Sequence, residues 1–497
     1  MIALLAVRNL VLKPWRSAFL LFGYSLGVAV MIVLLSIGEA LVSQSRDEKL
    51  VGGGEVTVLP EGIDVEVMKT GGLGGLFFSI DHARFIYGQL LAAPRLAGQV
   101  AVVAPQIEGK LLYARTTDGR EIAVMASGEI PSRTSAVGAM PQLASGEWTD
   151  DGPDRTWRDP LPNELRQGID RFHLPPAERR SDPTWAEWHY FNVLSADRST
   201  WAFITLMVGG AVPAGKWGGQ VLITLHQQGG SVRRFVATVP PAAVQFSTQR
   251  ADLRVGTSSV VVLADGRYAV HANAREEGGS GRVEVNLVVA PSPGAFFPGA
   301  ALSAGDLVSG YVVPGLRADA TGSICVDGHC QEYQRAQSYH DHNWGVWRGV
   351  TWEWGAARAG PYTVLYGRVQ SSDSAVASQP LFAYIVDSLG FLTLFRPREI
   401  RYDDARVIRV GNATINVPAR ATMVDVRGDD TLRIELTIED ATATDTRTPG
   451  VERGEGLASR QIGRPYFVQM KGLMKISGRV LGKPLAGEGG GFFETYR

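Results

Sequence analysis

The sequence predicts a mainly β body behind one membrane helix and a small α/β region. Glycine is abundant, with 58 in 497 residues, and turn residues punctuate many short apolar runs, a pattern of strands rather than long helices. Ser17–Gly38 holds no charged residue, long enough for one helix to span a bilayer. The length of 497 residues leaves room for two to four domains. Hydrophobic residues make up 45%, enough for ordinary cores. Lys and Arg (49) nearly balance Asp and Glu (50), so no basic bias points to nucleic acid, which is excluded as a partner.

In chain order, residues 1–50 are the expected anchor. Arg8, Lys13 and Arg16 precede the uncharged run and Glu39 follows it. Positive flanks stay cytoplasmic, which predicts a single-pass inner-membrane protein whose C-terminal body faces the periplasm or exterior. A cleaved signal peptide is the alternative, but the run is longer than a usual signal core and lacks a small-x-small site. A buried core helix is a third option. Gly52-Gly53-Gly54 breaks the helix, and residues 51–148 read as a mixed α/β region with a helix over Ile80–Leu91. Gly71–Gly75 is a flexible loop rather than a phosphate loop, since no Gly-Lys-Ser/Thr follows it. Residues 149–182, rich in charge and in proline (Pro153, Pro160, Pro162, Pro175, Pro176), read as a linker. Strands are expected at Trp201–Val208, Val221–Leu225, Arg233–Val239, Ser258–Leu263 and Arg282–Val289. Leu381–Phe395 is broken by Asp387-Ser388-Leu389-Gly390 and reads as strand, turn, strand, not as a second span.

Cys325 and Cys330 are the two cysteines, and they flank Asp327-Gly328, a hairpin turn signal. Paired strands would set them opposite each other, and an outward-facing domain would keep them as a disulfide. Zinc with His329, or free thiols, are the alternatives.

Tyr339-His340-Asp341-His342-Asn343-Trp344-Gly345 is the densest polar and aromatic run. As a strand it places Tyr339, Asp341 and Asn343 on one face and His340, His342 and Trp344 on the other. Burial of Asp341 among aromatics would favour its neutral form, which can donate a proton. The alternative is a structural polar network whose members satisfy one another. His340 and His342 could also hold a metal with Glu353 or Asp327, but His-x-His is common without one, and no metal or cofactor is expected. Trp185, Trp188, Trp201, Trp344, Trp347, Trp352 and Trp354 read as barrel core more readily than as a cation cage, although a Trp face stabilises a cation by roughly 0.5–2 kcal/mol.

The seven-residue run resembles the signature of the carotenoid 1,2-hydratase (hydroxyneurosporene synthase) family of lipocalin-like proteins. Glu187-Trp188-His189-Tyr190-Phe191-Asn192 is similar to that family's Glu-Trp-Trp-Tyr-Phe opening, with His189 in place of the second Trp. Gly478–Gly489 resembles its Gly-rich closing strands. The resemblance covers about residues 183–497 and implies two tandem lipocalin-like β barrels, 183–345 and 346–497, with a lipophilic ligand. It places Tyr339 and Asp341, with His340, at catalytic positions. Trp188, Tyr190, His342, Asn343, Trp344 and Trp352 are the expected ligand contacts, and no metal is implied. The hydratases also use a His and a Trp upstream of the signature. Here that region reads Gly310-Tyr311-Val312-Val313-Pro314, without a His-x-Trp pair.

The N-terminus, through Arg8-Asn9-Leu10, Pro14-Trp15-Arg16, Leu26-Gly27-Val28-Ala29-Val30 and Leu35-Ser36-Ile37-Gly38-Glu39, resembles the first helix of macrolide-exporter-type ABC transporter permeases. Residues 51–148 are similar to the start of their extracytoplasmic domain. This resemblance implies the membrane and ABC ATPase and permease subunits as partners. Two functions follow as expectations: a membrane-anchored carrier of an isoprenoid, lipid or secondary metabolite serving an export system, or a hydratase-like enzyme adding water to an isolated double bond by acid catalysis.

Overall fold

The computed structural model describes residues 80–96, 98–138, 147–158, 162–173, 185–211, 216–227, 232–304, 307–346, 350–371, 379–445 and 464–497, with 14–16, 18–19, 22–31, 56 and 58. Residues 22–31 are helical and carry exposed Phe22, Tyr24, Leu26, Val28, Val30 and Met31. The expected span at 17–38 falls in part outside the described residues. Among the described residues no helix is long and apolar enough to cross a membrane. Gly71–Gly75 and Trp347 also lie outside the described residues.

The chain divides into two compact units. One comprises residues 1–77 and 101–158. It holds an antiparallel hairpin of β1 (Gln106–Arg115) and β2 (Glu121–Glu129) and helices Pro131–Ala136 and Gly152–Arg158. The Asp150 carboxylate ties its helices together, accepting from Ser132 N (2.8 Å), Ser132 Oγ (2.6 Å) and Arg158 Nη1 (3.1 Å).

The second unit comprises residues 78–100 and 159–497 and contains all the larger sheets. Its first sheet holds β3 (Trp185–Leu194), β4 (Thr200–Ala211), β5 (Lys216–Gln227), β6 (Arg233–Val239), β7 (Val244–Phe246), β8 (Leu253–Val255), β9 (Ser258–Val262), β10 (Tyr268–Glu276), β11 (Arg282–Pro291), β12 (Phe297–Ala304), β13 (Leu307–Val326) and β14 (His329–Val346). The path β11-β13-β14-β3-β4-β5-β6-β10 returns to β11 through the antiparallel register Tyr268↔Val289 to Arg275↔Arg282, which closes an eight-stranded barrel. Closure leaves these strands no unpaired edge. Strand β11 shows the physical cause, since Val283, Val285, Leu287 and Val289 point inward and are buried while Arg282, Glu284 and Asn286 alternate outward.

The other large sheet holds β15 (Val350–Ala359), β16 (Tyr362–Ser371), β17 (Gln379–Asp387), β18 (Gly390–Phe395), β19 (Arg401–Asp403), β22 (Arg420–Arg427), β23 (Asp430–Asp445), β24 (Tyr466–Val480) and β25 (Lys483–Tyr496), with a separate hairpin of β20 (Arg406–Val410) and β21 (Ala413–Val417). Its order is β18-β17-β16-β15-β25-β24-β23-β22-β19. Strand β18 comes up against β22, where Arg427 Nη1 donates to Leu394 O (2.8 Å) and Arg396 N to Asp425 Oδ2 (2.7 Å). The body is mainly β.

Three apolar clusters fill this unit. One, with Phe191, Ile204, Ile223, Phe235 and Leu287, packs the first barrel. Another, with Tyr366, Ile385, Ile434, Met474 and Phe493, packs the second sheet's inner face. The third joins Tyr190, Phe203 and Tyr339 of the first sheet to Trp354, Leu365, Phe382 and Phe492 of the second. Strands at this seam are therefore buried on both faces, as β3 and β15 are along nearly their whole length.

Two features differ from the sequence reading. The helix at Ile80–Ala92, expected within a permease-like region, belongs to the barrel unit, where Phe85 packs in the seam cluster against Phe296. Residues 149–182, expected as a linker, carry helices Gly152–Arg158 and Pro162–Ile169, and Asp170 and Phe172 just beyond are buried with the barrel core. Proline at the start of a helix does not break it, because its missing N–H has no partner to lose there.

Strands β13 and β14 meet in a two-residue turn at Asp327 (φ 51°) and Gly328 (φ 82°), the doubly positive pair that matches strand twist. Cys325 pairs with Cys330 across it, and the two sulfurs are bonded. Intact-mass measurement without reductant is expected to find two hydrogens fewer than the reduced chain. Two alkylatable thiols in protein from its native compartment would refute the bridge.

Candidate functional site

The register between β14 and β3 sorts the polar run onto two sides. Asp341 lies opposite Tyr190 and Asn343 opposite Trp188, facing the second sheet. His342 lies opposite His189 and Trp344 opposite Glu187, facing the other way. Gly345 closes the run at φ 114°, and a Cβ there would come within 2.4 Å of Ser309 Cα, so only glycine fits.

On the seam side, Tyr339 Oη donates to Asp341 Oδ2 (2.8 Å), Asn343 Nδ2 donates to Oδ1 (2.7 Å), and Trp354 Nε1 donates to Tyr339 Oη (2.9 Å). Facing them, Trp352 Nε1 donates to Glu494 Oε2 (2.9 Å). Trp188, Tyr190, Tyr311, Asp341, Asn343, Trp352, Trp354, Val369 and Glu494 line a cavity of about 50 Å³. It lies between the two sheets, not inside the first barrel.

Both carboxyls of this cavity are buried and both are shifted. Burial pushes Asp341 up to about 8, against the hydrogen bond from Tyr339, and the charge of Glu494 pushes it further. Burial likewise pushes Glu494 up to about 7, offset in part by hydrogen bonds from Trp352, Gln469 and Tyr190. The Tyr339 phenol is held well above its ordinary value by burial and by Asp341. The cavity thus holds two buried carboxyls, both pushed up by burial, that titrate as a pair.

On the barrel side, His340 Nδ1 lies 3.0 Å from Tyr190 O, and His342 Nδ1 lies 2.9 Å from Asp170 Oδ1. His342 Nε2 lies 3.0 Å from Glu187 Oε1. His173 Nδ1 is 3.1 Å from the same oxygen, its backbone N–H donates to that carboxylate, and its ring stacks on Trp344 at 3.6 Å. Asp170 also accepts from Tyr268 Oη, and the histidines beside it hold its carboxyl far below the usual range despite burial. Burial lowers His189 well below an ordinary imidazole.

The structure therefore separates the expected site residues. Tyr339, Asp341, Asn343, Trp188, Tyr190 and Trp352 gather at the seam, His340 and His342 turn away from it, and Trp344, stacked on His173, does not line the cavity. His340 is not at the cavity because side chains alternate along β14. His342 meets Asp170 and Glu187 rather than Glu353 or Asp327: Glu353 pairs with Arg368 (2.7 Å), and Asp327 pairs with Arg233 (3.1 Å). Sequence reasoning missed Glu494, Tyr311, Val369 and Asp170 as site residues. Glu494 offered one signal, a lone acid in the otherwise apolar and aromatic Phe492-Phe493-Glu494-Thr495-Tyr496. Strand β25 brings Glu494 to the cavity because it pairs antiparallel with β15, in a register that sets Glu494 opposite Trp354.

No known protein family matches the sequence, and no curated protein matches it. Several solved structures align with it. A protein of Nitrosomonas europaea provisionally designated AttH is 16% identical, covering 63% of this chain and 93% of its own, with a TM-score of 0.44. Kievitone hydratase of Nectria haematococca is 12% identical over 66% of this chain and 94% of its own, with a TM-score of 0.39. CghA with Sch210972 is 16% identical over 63% and 89%, with a TM-score of 0.38. At these scores and identities no activity transfers, and function rests on this chain's own residues.

Proposed function

We propose that this chain is an acid–base enzyme, of the hydro-lyase or isomerase class, acting on an isolated carbon–carbon double bond in a largely apolar molecule. One observation carries the reading: two buried carboxyls, Asp341 and Glu494, line one small cavity walled by Trp188, Trp352 and Trp354. Asp341 gives its proton to one alkene carbon. Positive charge develops on the neighbouring carbon, where the indole faces favour it. Water attacks that carbon while Glu494 takes the proton it loses. Asp341 ends as carboxylate and Glu494 as acid, and exchange with solvent restores both. Asn343 and Tyr339 orient the Asp341 oxygens, and Trp354 fixes Tyr339. A cavity of about 50 Å³ admits a double bond and a water, so the rest of the substrate extends beyond it. Incubation with isoprenoid alkenes in ¹⁸O-labelled water tests the reading. An alcohol carrying the heavy oxygen is expected. Tight alkene binding with no chemistry would favour the carrier function instead.

We further propose a single span at 17–38 that leaves the body outside the cytoplasm. The uncharged run behind Arg8, Lys13 and Arg16 supports this, as does a disulfide, which persists in oxidising compartments. C-terminal reporter fusions are expected to be active only with an extracytoplasmic reporter; an active cytoplasmic reporter would overturn the topology. The export-accessory role rests on the N-terminal resemblance alone, and the site geometry favours the enzyme.

A further inference from the structure

On the far side of β14 from the cavity, His173, Glu187 and His342 converge within one small space, each offering a ligand atom within 4.8 Å of the others. We propose that these three residues form a binding site for a divalent transition-metal ion of the zinc type.

The distances fit such an ion. Glu187 Oε1 lies 3.1 Å from His173 Nδ1 and 3.0 Å from His342 Nε2. Ligands at about 2.0–2.1 Å around a tetrahedral zinc stand about 3.3 Å apart. One ring direction fits as well, at His342; His173 Nδ1 points along its hydrogen bond to Glu187 Oε1, a bond that the ion would replace. His342 Nε2 is fully buried and 3.0 Å from Glu187 Oε1, without a well-aligned hydrogen bond to it. A metal ion on the ring axis would place its carboxylate ligand off that axis in the same way. The second ring nitrogen, His342 Nδ1, is held by Asp170 Oδ1 at 2.9 Å, the outer carboxylate that fixes the ring of a metal-binding histidine and raises its basicity.

Charge and access agree. Glu187 and Asp170 together carry the two negative charges that neutralise a divalent cation, with no Lys or Arg paired to either carboxylate among the described residues. Two imidazoles and one carboxylate suit zinc or cobalt better than calcium or magnesium. The His173 side chain is 21% exposed, so the site opens at its rim and leaves a fourth position for water. Bound metal would clamp residues 170–173 to β3 and β14.

The test uses the full chain without a histidine tag. It is stripped with chelator, desalted, then titrated with cobalt and separately with zinc. The wild type is expected to retain one ion per chain, to show the visible absorption of tetrahedral cobalt, and to unfold at higher temperature with metal than without. His173→Gln, Glu187→Gln and His342→Gln are expected to lose stoichiometric retention. Asp170→Asn is expected to keep the site but weaken it about 10–100-fold. His271→Gln, on the outward face of β10 where the ring pairs with Asn286, is expected to retain the ion. Because Glu187 and His342 are deeply buried, their variants could fail to fold, and His173→Gln at the rim then decides. A folded wild type that retains no ion at micromolar metal overturns the site, as does undiminished retention in His173→Gln.

Discussion

Replacing Asp341 with Asn is expected to lower turnover by about 10²–10⁴-fold while leaving fold and alkene binding nearly unchanged. The amide is isosteric with the acid and can still accept the Tyr339 bond, but it cannot give a carboxylic proton. The alternative outcomes are distinct. A carrier would be indifferent to the change. A structural acid would unfold, because Tyr339 and Asn343 both depend on it and their bonds are buried. Circular dichroism with a binding measurement separates these outcomes. Asp341→Glu, which keeps the proton but moves it, is expected to retain more activity than Asp341→Asn.

The second large effect is expected at Glu494. As the base it must be ionised, so the wild-type rate should fall about tenfold for each pH unit below about 7. Glu494→Gln should lower the rate about 10²–10⁴-fold and abolish that acid limb. The stability effect has the opposite sense. With its folded value raised above the ordinary 4.5, Glu494 binds a proton more readily in the folded chain than in the unfolded one. Its contribution to stability is fully present below about 4.5 and is lost as pH rises through about 7. The Gln variant should therefore lose less stability than the wild type between pH 5 and 8. An unchanged acid limb in the rate profile of Glu494→Gln would remove Glu494 from the chemistry.

Much of this site was legible along one strand. The two-residue period of β14 alone separates Tyr339, Asp341 and Asn343 from His340 and His342, and Asp327-Gly328 marks the hairpin that joins Cys325 to Cys330. What was not legible lies in pairings distant in sequence. Glu494 comes to the cavity from the last strand, brought there by the pairing of β25 with β15. Asp170 looked like part of a linker because prolines and charges surround it, yet it reaches the first barrel's histidines. Strands β3 and β15 show no alternation in burial because one face of each packs its own sheet's core and the other meets the facing sheet. For the same reason a sequence read as two ligand-holding barrels carried no sign that the cavity lies between the two large sheets.

The central claim is that Asp341 delivers a proton to carbon inside the seam cavity. Turnover of an isoprenoid alkene in deuterated water reads this directly, by locating the label in the product. The expected product carries one deuterium on the carbon adjacent to the one that bears the new hydroxyl, and Asp341→Asn forms it about 10²–10⁴-fold more slowly. A product without deuterium on carbon, or equal labelling by Asp341→Asn, would contradict the account.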